Sequence, residues 1–237
     1  MFKGSRIDLR NIKSREWRIK MPDRKIPKAT AKRLPLYYRY LKYLFSSGKK
    51  KVSSADLSEA VKIDSATIRR DFSYFGALGK RGYGYDVEDL MNFFSKQLNQ
   101  EQLTNVALVG VGHLGRALLN YNFQGQNSIR ISAGFDTNDD ITNTILEGVP
   151  IYHTDDLASQ IEAQQFEVAI IAVPGKQGQG IADKLAEAGI KGIMNFTPIR
   201  LSVPDSVRVL NVDLSNELQS LIYFVQYSES IEDDGFE

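Results

Sequence analysis

Six residues, Gly110-Val111-Gly112-His113-Leu114-Gly115, have the spacing that a backbone needs to hold a pyrophosphate. In such a loop the first glycine makes a tight turn, the second lets the main chain approach the phosphates, and the third lets a helix pack closely on a strand. Free N–H groups at the start of the following helix then face the phosphate oxygens. Asp136 stands about twenty residues beyond Gly115, where a carboxylate hydrogen-bonds the adenosine ribose hydroxyls. The same carboxylate repels a 2′-phosphate, so NAD and NADH are the expected ligands. Further along, Val173-Pro174-Gly175 closes an apolar run and either shapes the nicotinamide half of the crevice or makes an ordinary strand-to-helix turn. His113 lies inside the loop, either touching the cofactor or pointing away from it.

Hydride chemistry also needs a positioned acid or base beside the nicotinamide. The only histidines are His113 and His153, and the absence of cysteine removes disulfides, thiolate metal sites and cysteine nucleophiles. No metal site and no catalytic residue are expected. After Val212 only one helix and a tail follow, which leaves no room for a second catalytic domain. The dinucleotide therefore reads as a signal instead of a reagent. A small NAD-dependent oxidoreductase with accessory nucleic-acid binding is the alternative.

The loop works only between a strand and a helix, and the surrounding pattern supplies both. Apolar runs at Val106 to Val109, Ile129 to Phe135, Val149 to Tyr152, Val168 to Val173, Ile190 to Phe196 and Val207 to Val212 read as strands. Helical patterns fall between them: one to about Tyr121, one from Asp156, and one from about Gln177 to Ala188. Continuous apolar strands alternating with helices predict an α/β domain with a doubly wound parallel sheet, the Rossmann arrangement, over residues 105–212.

Upstream, the charge changes sign. Residues 1–85 hold 22 of the 30 Lys and Arg but 7 of the 29 Asp and Glu, a net of +15, so the remainder carries −14. A basic block on an otherwise acidic protein attracts polyanions such as DNA. From Thr30, apolar residues recur at helical spacing through Leu34, Tyr37, Tyr38, Leu41, Leu44 and Phe45 up to Gly48, with Pro35 limiting where the regular part begins. A short strand over Lys50 to Val52, a capping box at Ser53 to Asp56 and a helix to Val61 follow. A third helix runs from Ser65 to Phe75, with Ile68, Phe72 and Phe75 on one face and Thr67, Arg69, Arg70, Ser73 and Tyr74 on the other. The glycine spacing of residues 79–85 predicts a hairpin, or wing. The expected divisions are a basic arm (1–28), a winged helix-turn-helix domain (29–85), a linker helix (86–104), the Rossmann domain, a last helix (213–228) and an acidic tail (229–237).

In that last helix, Leu221-Ile222-Tyr223-Phe224-Val225 is apolar all round, and such a helix needs burial on more than one side. A partner subunit would provide the second side. No apolar run approaches the roughly 20 residues of a bilayer span, and the N-terminus lacks a signal-peptide pattern, so no membrane partner and a cytoplasmic location are expected.

With these segments in place, the sequence resembles the Rex family of redox-sensing transcriptional repressors. The resemblance rests on residues 69–76, 79–85, 110–115 and 189–196 and on Asn211-Val212-Asp213-Leu214. It implies a homodimer joined by a domain-swapped C-terminal helix that binds palindromic double-stranded operator DNA when NADH is scarce and releases it when NADH rises. By position, Ser65, Thr67, Arg69, Arg70 and Ser73 would enter the major groove, and Lys80 and Arg81 would reach phosphates or the minor groove. The resemblance also implies a redox switch in which Asp213 exchanges partners between Arg39 and Tyr121.

Overall fold

The computed structural model describes residues 25–76, 78, 79, 83–121, 123 and 128–227. The chain forms two compact units that divide between Asn92 and Phe93.

In the first unit, α1 (Lys28–Ser46) presents Leu34, Tyr37, Tyr38, Leu41 and Leu44 as a buried stripe. The helix runs through Pro35, so the expectation that Pro35 would limit its regular part does not hold. Proline removes one backbone donor there, but the flanking turns are pinned by buried side chains, including Thr30. Strand β1 (Lys51–Val52) leads to α2 (Ser54–Val61). The start of α2 is a complete capping box: the Asp56 N–H donates to Ser53 Oγ at 3.0 Å and the Ser53 N–H donates to Asp56 Oδ2 at 2.9 Å. Helix α3 (Ser65–Ser73) is capped by Asp64, which accepts the N–H groups of Ala66 and Thr67. It ends two residues short of the expected Phe75, where Tyr74 and Phe75 form a turn. Strand β2 (Tyr85–Asp86) pairs antiparallel with β1, Val52 opposite Tyr85. Phe72 lies edge-on between Tyr37 and Tyr85, at 5.3 and 5.1 Å between ring centroids, and so fastens α3 to α1 and to the strand pair. Helix α4 (Val87–Gln97) follows β2 directly.

The second unit is built on β3 (Thr104–Val109), β4 (Ile129–Asp136), β5 (Thr144–Leu146), β6 (Val149–His153), β7 (Val168–Ile171), β8 (Gly192–Asn195) and β9 (Arg208–Asn211). The strand order is β5-β6-β4-β3-β7-β8-β9, parallel throughout except for the antiparallel edge strand β5. Strand β5 was not expected. It returns to β6 through Glu147 and Gly148, both at positive φ (51° and 76°), a two-residue hairpin turn in which glutamate stands where Asn or Asp is usual. Alternation along β3 sends Ala107 and Val109 into one core with α6 (Leu157–Gln164) and α7 (Gly175–Glu187). Val106 and Leu108 enter the other core, with Leu118 and Leu119 of α5 (His113–Leu119). Both faces of the sheet are thus covered near β3, which explains strands apolar on every side. Strand order reverses at β3: β4 and β6 lie to one side, β7 and β8 to the other. Helix α8 (Leu214–Gln226) ends the described chain, and none of its residues is buried.

Candidate functional site

The carboxyl ends of β3 and β7 flank the point where strand order reverses, the place where open α/β sheets bind ligands. The glycine loop follows β3 there, and its three glycines have three different geometries. Gly110 turns the chain at φ 96°, and a Cβ on it would come within 2.5 Å of the Ala172 carbonyl oxygen. Gly115 is packed harder still, since a Cβ there would lie 2.0 Å from the Gly110 oxygen. Gly112, by contrast, has no atom within 4 Å of its Cβ position and is exposed. The loop thus offers bare backbone where a pyrophosphate is to be met and closes itself everywhere else, a cradle that fits a dinucleotide.

Asp136, the last residue of β4, joins this loop: its Oδ2 accepts the Val111 N–H at 2.7 Å and its Oδ1 accepts the Asn138 N–H at 2.9 Å. A carboxylate has about four acceptor positions, so each oxygen retains capacity for a ribose hydroxyl. Val111 is buried, whereas His113 and Leu114 open α5 on its exposed side. Val173 packs against Gly110. Pro174 caps α7, with its carbonyl accepting the Gln177 N–H at 2.9 Å. The other histidine, His153, lies two strands away at the end of β6, where its Nδ1 accepts the Asp155 N–H. Among the described residues no three His, Asp or Glu side chains are grouped as metal ligands.

In the first unit, Arg69, Arg70 and Ser73 are exposed on α3, and Ser65 and Thr67 are half-buried. Arg69 Nη1 donates to Ser54 Oγ at 3.1 Å and to Ser65 Oγ at 3.3 Å, which lays its guanidinium along the helix surface toward α2. The Ser73 hydroxyl turns back onto the Arg70 carbonyl at 2.7 Å. Lys80 and Arg81 lie outside the described residues.

Between Arg70 and Phe72 stands a residue that sequence reasoning gave no role. Asp71 is 1% exposed and receives four hydrogen bonds: Arg33 Nε and Nη2 at 2.7 Å each, the Tyr37 hydroxyl at 2.7 Å, and the Thr30 hydroxyl at 2.8 Å. Burial alone would push this carboxyl up, but the bonds from Arg33, Tyr37 and Thr30 outweigh it and hold Asp71 below the ordinary carboxylate range. Burial and the neighbouring carboxylate together push the Tyr37 phenol up. Buried charge so fully paired fixes the rotation of α3 about its axis, and hence the direction in which Arg69 and Arg70 point. The signal in the sequence was an acidic residue on the same helix face as Ile68 and Phe72.

Of the three residues implied as a switch, Arg39 is exposed on α1. Tyr121 is 51% exposed, its ring tilted against Phe123 at 4.6 Å. Asp213 caps α8, accepting the Asn216 N–H at 3.0 Å. Helix α8 carries Leu214, Leu218, Leu221, Tyr223, Phe224 and Val225 at half or more of full exposure, an apolar surface of the kind that marks an interface.

Residues 25–73 match a family described as a putative DNA-binding protein N-terminus, and residues 101–199 match a CoA binding domain family. The chain is 61% identical over 213 residues to the redox-sensing transcriptional repressor Rex of Ligilactobacillus salivarius, covering 90% of this chain and all of that one. It is 67% identical over 201 residues to its namesake from Lactobacillus acidophilus, covering 85% and 95%. Among solved structures it is similar to RSP in complex with NAD+ and operator DNA, at 34% identity and TM-score 0.81 over 87% of this chain and 95% of that one. RSP in complex with NADH matches at 33% identity and TM-score 0.77, over 87% and 97%.

Proposed function

Since the chain belongs to the Rex family of redox-sensing transcriptional repressors, we propose that it binds palindromic operator DNA when NADH is scarce relative to NAD and leaves it when NADH binds. The observation that carries this reading is the open backbone at Gly112, set between a turn closed by Gly110 and Gly115 and a carboxylate at Asp136. Gly110, Val111, Gly112, His113, Leu114 and Gly115 would hold the pyrophosphate, Asp136 the adenosine ribose, and Val173 with Pro174 the wall of the nicotinamide half. The two redox forms of the cofactor differ by one positive charge on the ring, and a coupling of about 1–3 kcal/mol turns such a difference into a roughly 5- to 150-fold change in operator affinity.

On the DNA side, Ser65, Thr67, Arg69, Arg70 and Ser73 would face the major groove, and Lys80 and Arg81 the backbone or minor groove. The exposed apolar surface of α8 supports a homodimer in which this helix is exchanged between subunits, and a two-fold dimer suits a palindrome. Asp213 would exchange between Arg39 and Tyr121 as the cofactor changes redox state. The regions 29–85, 86–104, 105–212 and 213–228 would serve as DNA reader, linker, sensor and dimer helix, in a protein working in the cytoplasm; no helix among the described residues is long and apolar enough to cross a membrane.

The test is an electrophoretic mobility shift with a palindromic duplex selected by the protein from a randomised pool, with NADH and NAD titrated separately. NADH is expected to release the duplex and NAD to leave it bound. Equal binding in the presence of either nucleotide refutes the reading, and steady NADH oxidation with a panel of carbonyl substrates would favour an oxidoreductase.

A further inference from the structure

The wall of the crevice and the start of α8 meet at one buried amide. Asn195, the last residue of β8, is 0% exposed, and both ends of its side chain are engaged. Its Nδ2 donates to the Ile199 carbonyl at 2.8 Å and to Asn211 Oδ1 at 2.9 Å. Its Oδ1 accepts the Thr197 N–H at 3.0 Å and the Thr197 hydroxyl at 2.7 Å. Two donors and two lone pairs are the whole capacity of a primary amide. A displacement of any partner therefore leaves a buried polar group unpaired, which is costly.

Those partners belong to two different places. Residues 197–199 are the surface on which α7 begins: a Cβ on Gly175 would come within 3.2 Å of Pro198, and one on Gly178 within 3.1 Å of Thr197. Helix α7 starts directly after Val173 and Pro174, and Val173 lies against Gly110 of the glycine loop. Asn211, on the other side, ends β9; the next residue, Val212, donates its N–H to the Asn195 carbonyl at 2.8 Å, and the one after that is Asp213, the cap of α8. An unbroken line of contacts thus runs from the glycine loop through the start of α7, the 197–199 turn and the Asn195 amide to the first turn of α8.

We propose that Asn195 is a positioning residue that ties the crevice wall to the strand leading into Asp213, with Asn211 as its contact, so that the state of the dinucleotide crevice reaches α8. The inference rests on the function proposed above. A merely structural amide would hold the fold without affecting the response, whereas a coupling one carries the response as well.

Asn211→Ala separates the two roles, because Asn211 is exposed and its loss leaves the bonds from Asn195 to Thr197 and Ile199 intact. Three quantities are measured on full-length protein: NADH affinity without DNA, by cofactor fluorescence; operator affinity without nucleotide; and operator affinity with saturating NADH. The first two are expected to stay within about twofold of wild type, while the NADH-induced weakening falls to less than about threefold. Asn211→Asp keeps an acceptor for the Asn195 amide and is expected to restore the response; Asn211→Ser, too short to reach, is expected to behave as Ala. A full NADH response in both Ala and Ser variants overturns the proposal. So does loss of NADH binding itself, which would make Asn211 part of the crevice. A wild-type protein indifferent to NADH removes the functional reading and this one with it, whereas a responsive wild type beside responsive variants removes this one alone.

Discussion

Alanine at Gly112 and alanine at Gly115 should differ in what they do to stability. Gly112→Ala adds a methyl where no atom lies within 4 Å, at φ −71°, a value open to any residue. Its effect on stability should stay within about 0.5 kcal/mol of zero, as for substitutions that touch nothing. The methyl then projects where the pyrophosphate must approach the main chain. Forcing a methyl into a packed contact costs about 1–3 kcal/mol, which raises the Kd for NADH roughly 5- to 150-fold. Gly115→Ala puts its methyl 2.0 Å from the Gly110 carbonyl oxygen, a backbone atom that moves only if α5 lifts off β3. There the protein should lose about 2 kcal/mol or more of stability, and nucleotide binding should fail with it. Thermal melts of ligand-free protein and NADH fluorescence titrations resolve the two cases. A Gly112→Ala protein that melts like wild type and binds NADH equally well would refute the placement of the pyrophosphate. One that unfolds would refute the open space.

Asp71→Ala should destabilise the protein by about 2–4 kcal/mol, below the full value for a broken buried pair because the Arg33 side chain remains 27% exposed to water; urea unfolding measures it, and a change under 1 kcal/mol would show that Asp71 is not an anchor. Because the folded-state pKa of Asp71 is depressed, its contribution is present above about pH 4 and lost as pH falls through the lower folded value, so Asp71→Asn should flatten the acid limb of the stability curve. Asp136→Ala should raise the Kd for NADH by roughly tenfold or more, the worth of a hydrogen bond to a charged group, and shrink the preference for NADH over NADPH; an unchanged preference in calorimetric titration would remove Asp136 from the ribose. Arg70→Ala should weaken operator binding by about 1–3 kcal/mol with little change in salt slope if it reads a base, whereas a reduced slope would make it a phosphate contact. Leu221→Glu on the exposed surface of α8 should shift the protein toward monomer in sedimentation velocity, and a persistent dimer would place the interface elsewhere.

What the sequence disclosed was decided locally. The Ser53–Asp56 capping box, the buried face of α3 and the strand-loop-helix at Gly110 each depend on residues within a few positions of one another, and each was legible. Asp71 was not, because the groups that neutralise it come from α1, between 34 and 41 residues earlier; without them an aspartate beside two arginines reads as one more exposed charge. Asn195 escaped for the same reason: its partner Asn211 is 16 residues on, and a polar residue at a strand end looks like the start of a loop until the strand pairing is known. Pro35 misled in the opposite direction, since the local rule against proline in a helix was overridden by burial on both sides of it. Strand β5 was missed because its turn uses Glu147 at positive φ, which local preference disfavours and only the pairing with β6 enforces.

The crevice differs from α8 in what holds it, and that difference suits a sensor. The glycine loop is held by the protein's own contacts: Val111 is bonded to Asp136, the Gly110 N–H donates to the Phe135 carbonyl at 2.8 Å, and Gly110 and Gly115 are closed against backbone. Binding a dinucleotide to a loop so held requires little ordering of the loop itself. A ligand that meets both states of a protein equally shifts nothing, however tightly it binds, so the discriminating contact must lie where the protein can still change. Among the described helices α8 is the one with no buried residue, its first turn hangs on the Asp213 cap, two residues beyond Asn211, and in the proposed dimer its apolar surface packs on the partner subunit. The dimer contact is thus where a redox signal read at the glycine loop can act, and the proposed path to it runs through the hydrogen-bonded amide of Asn195.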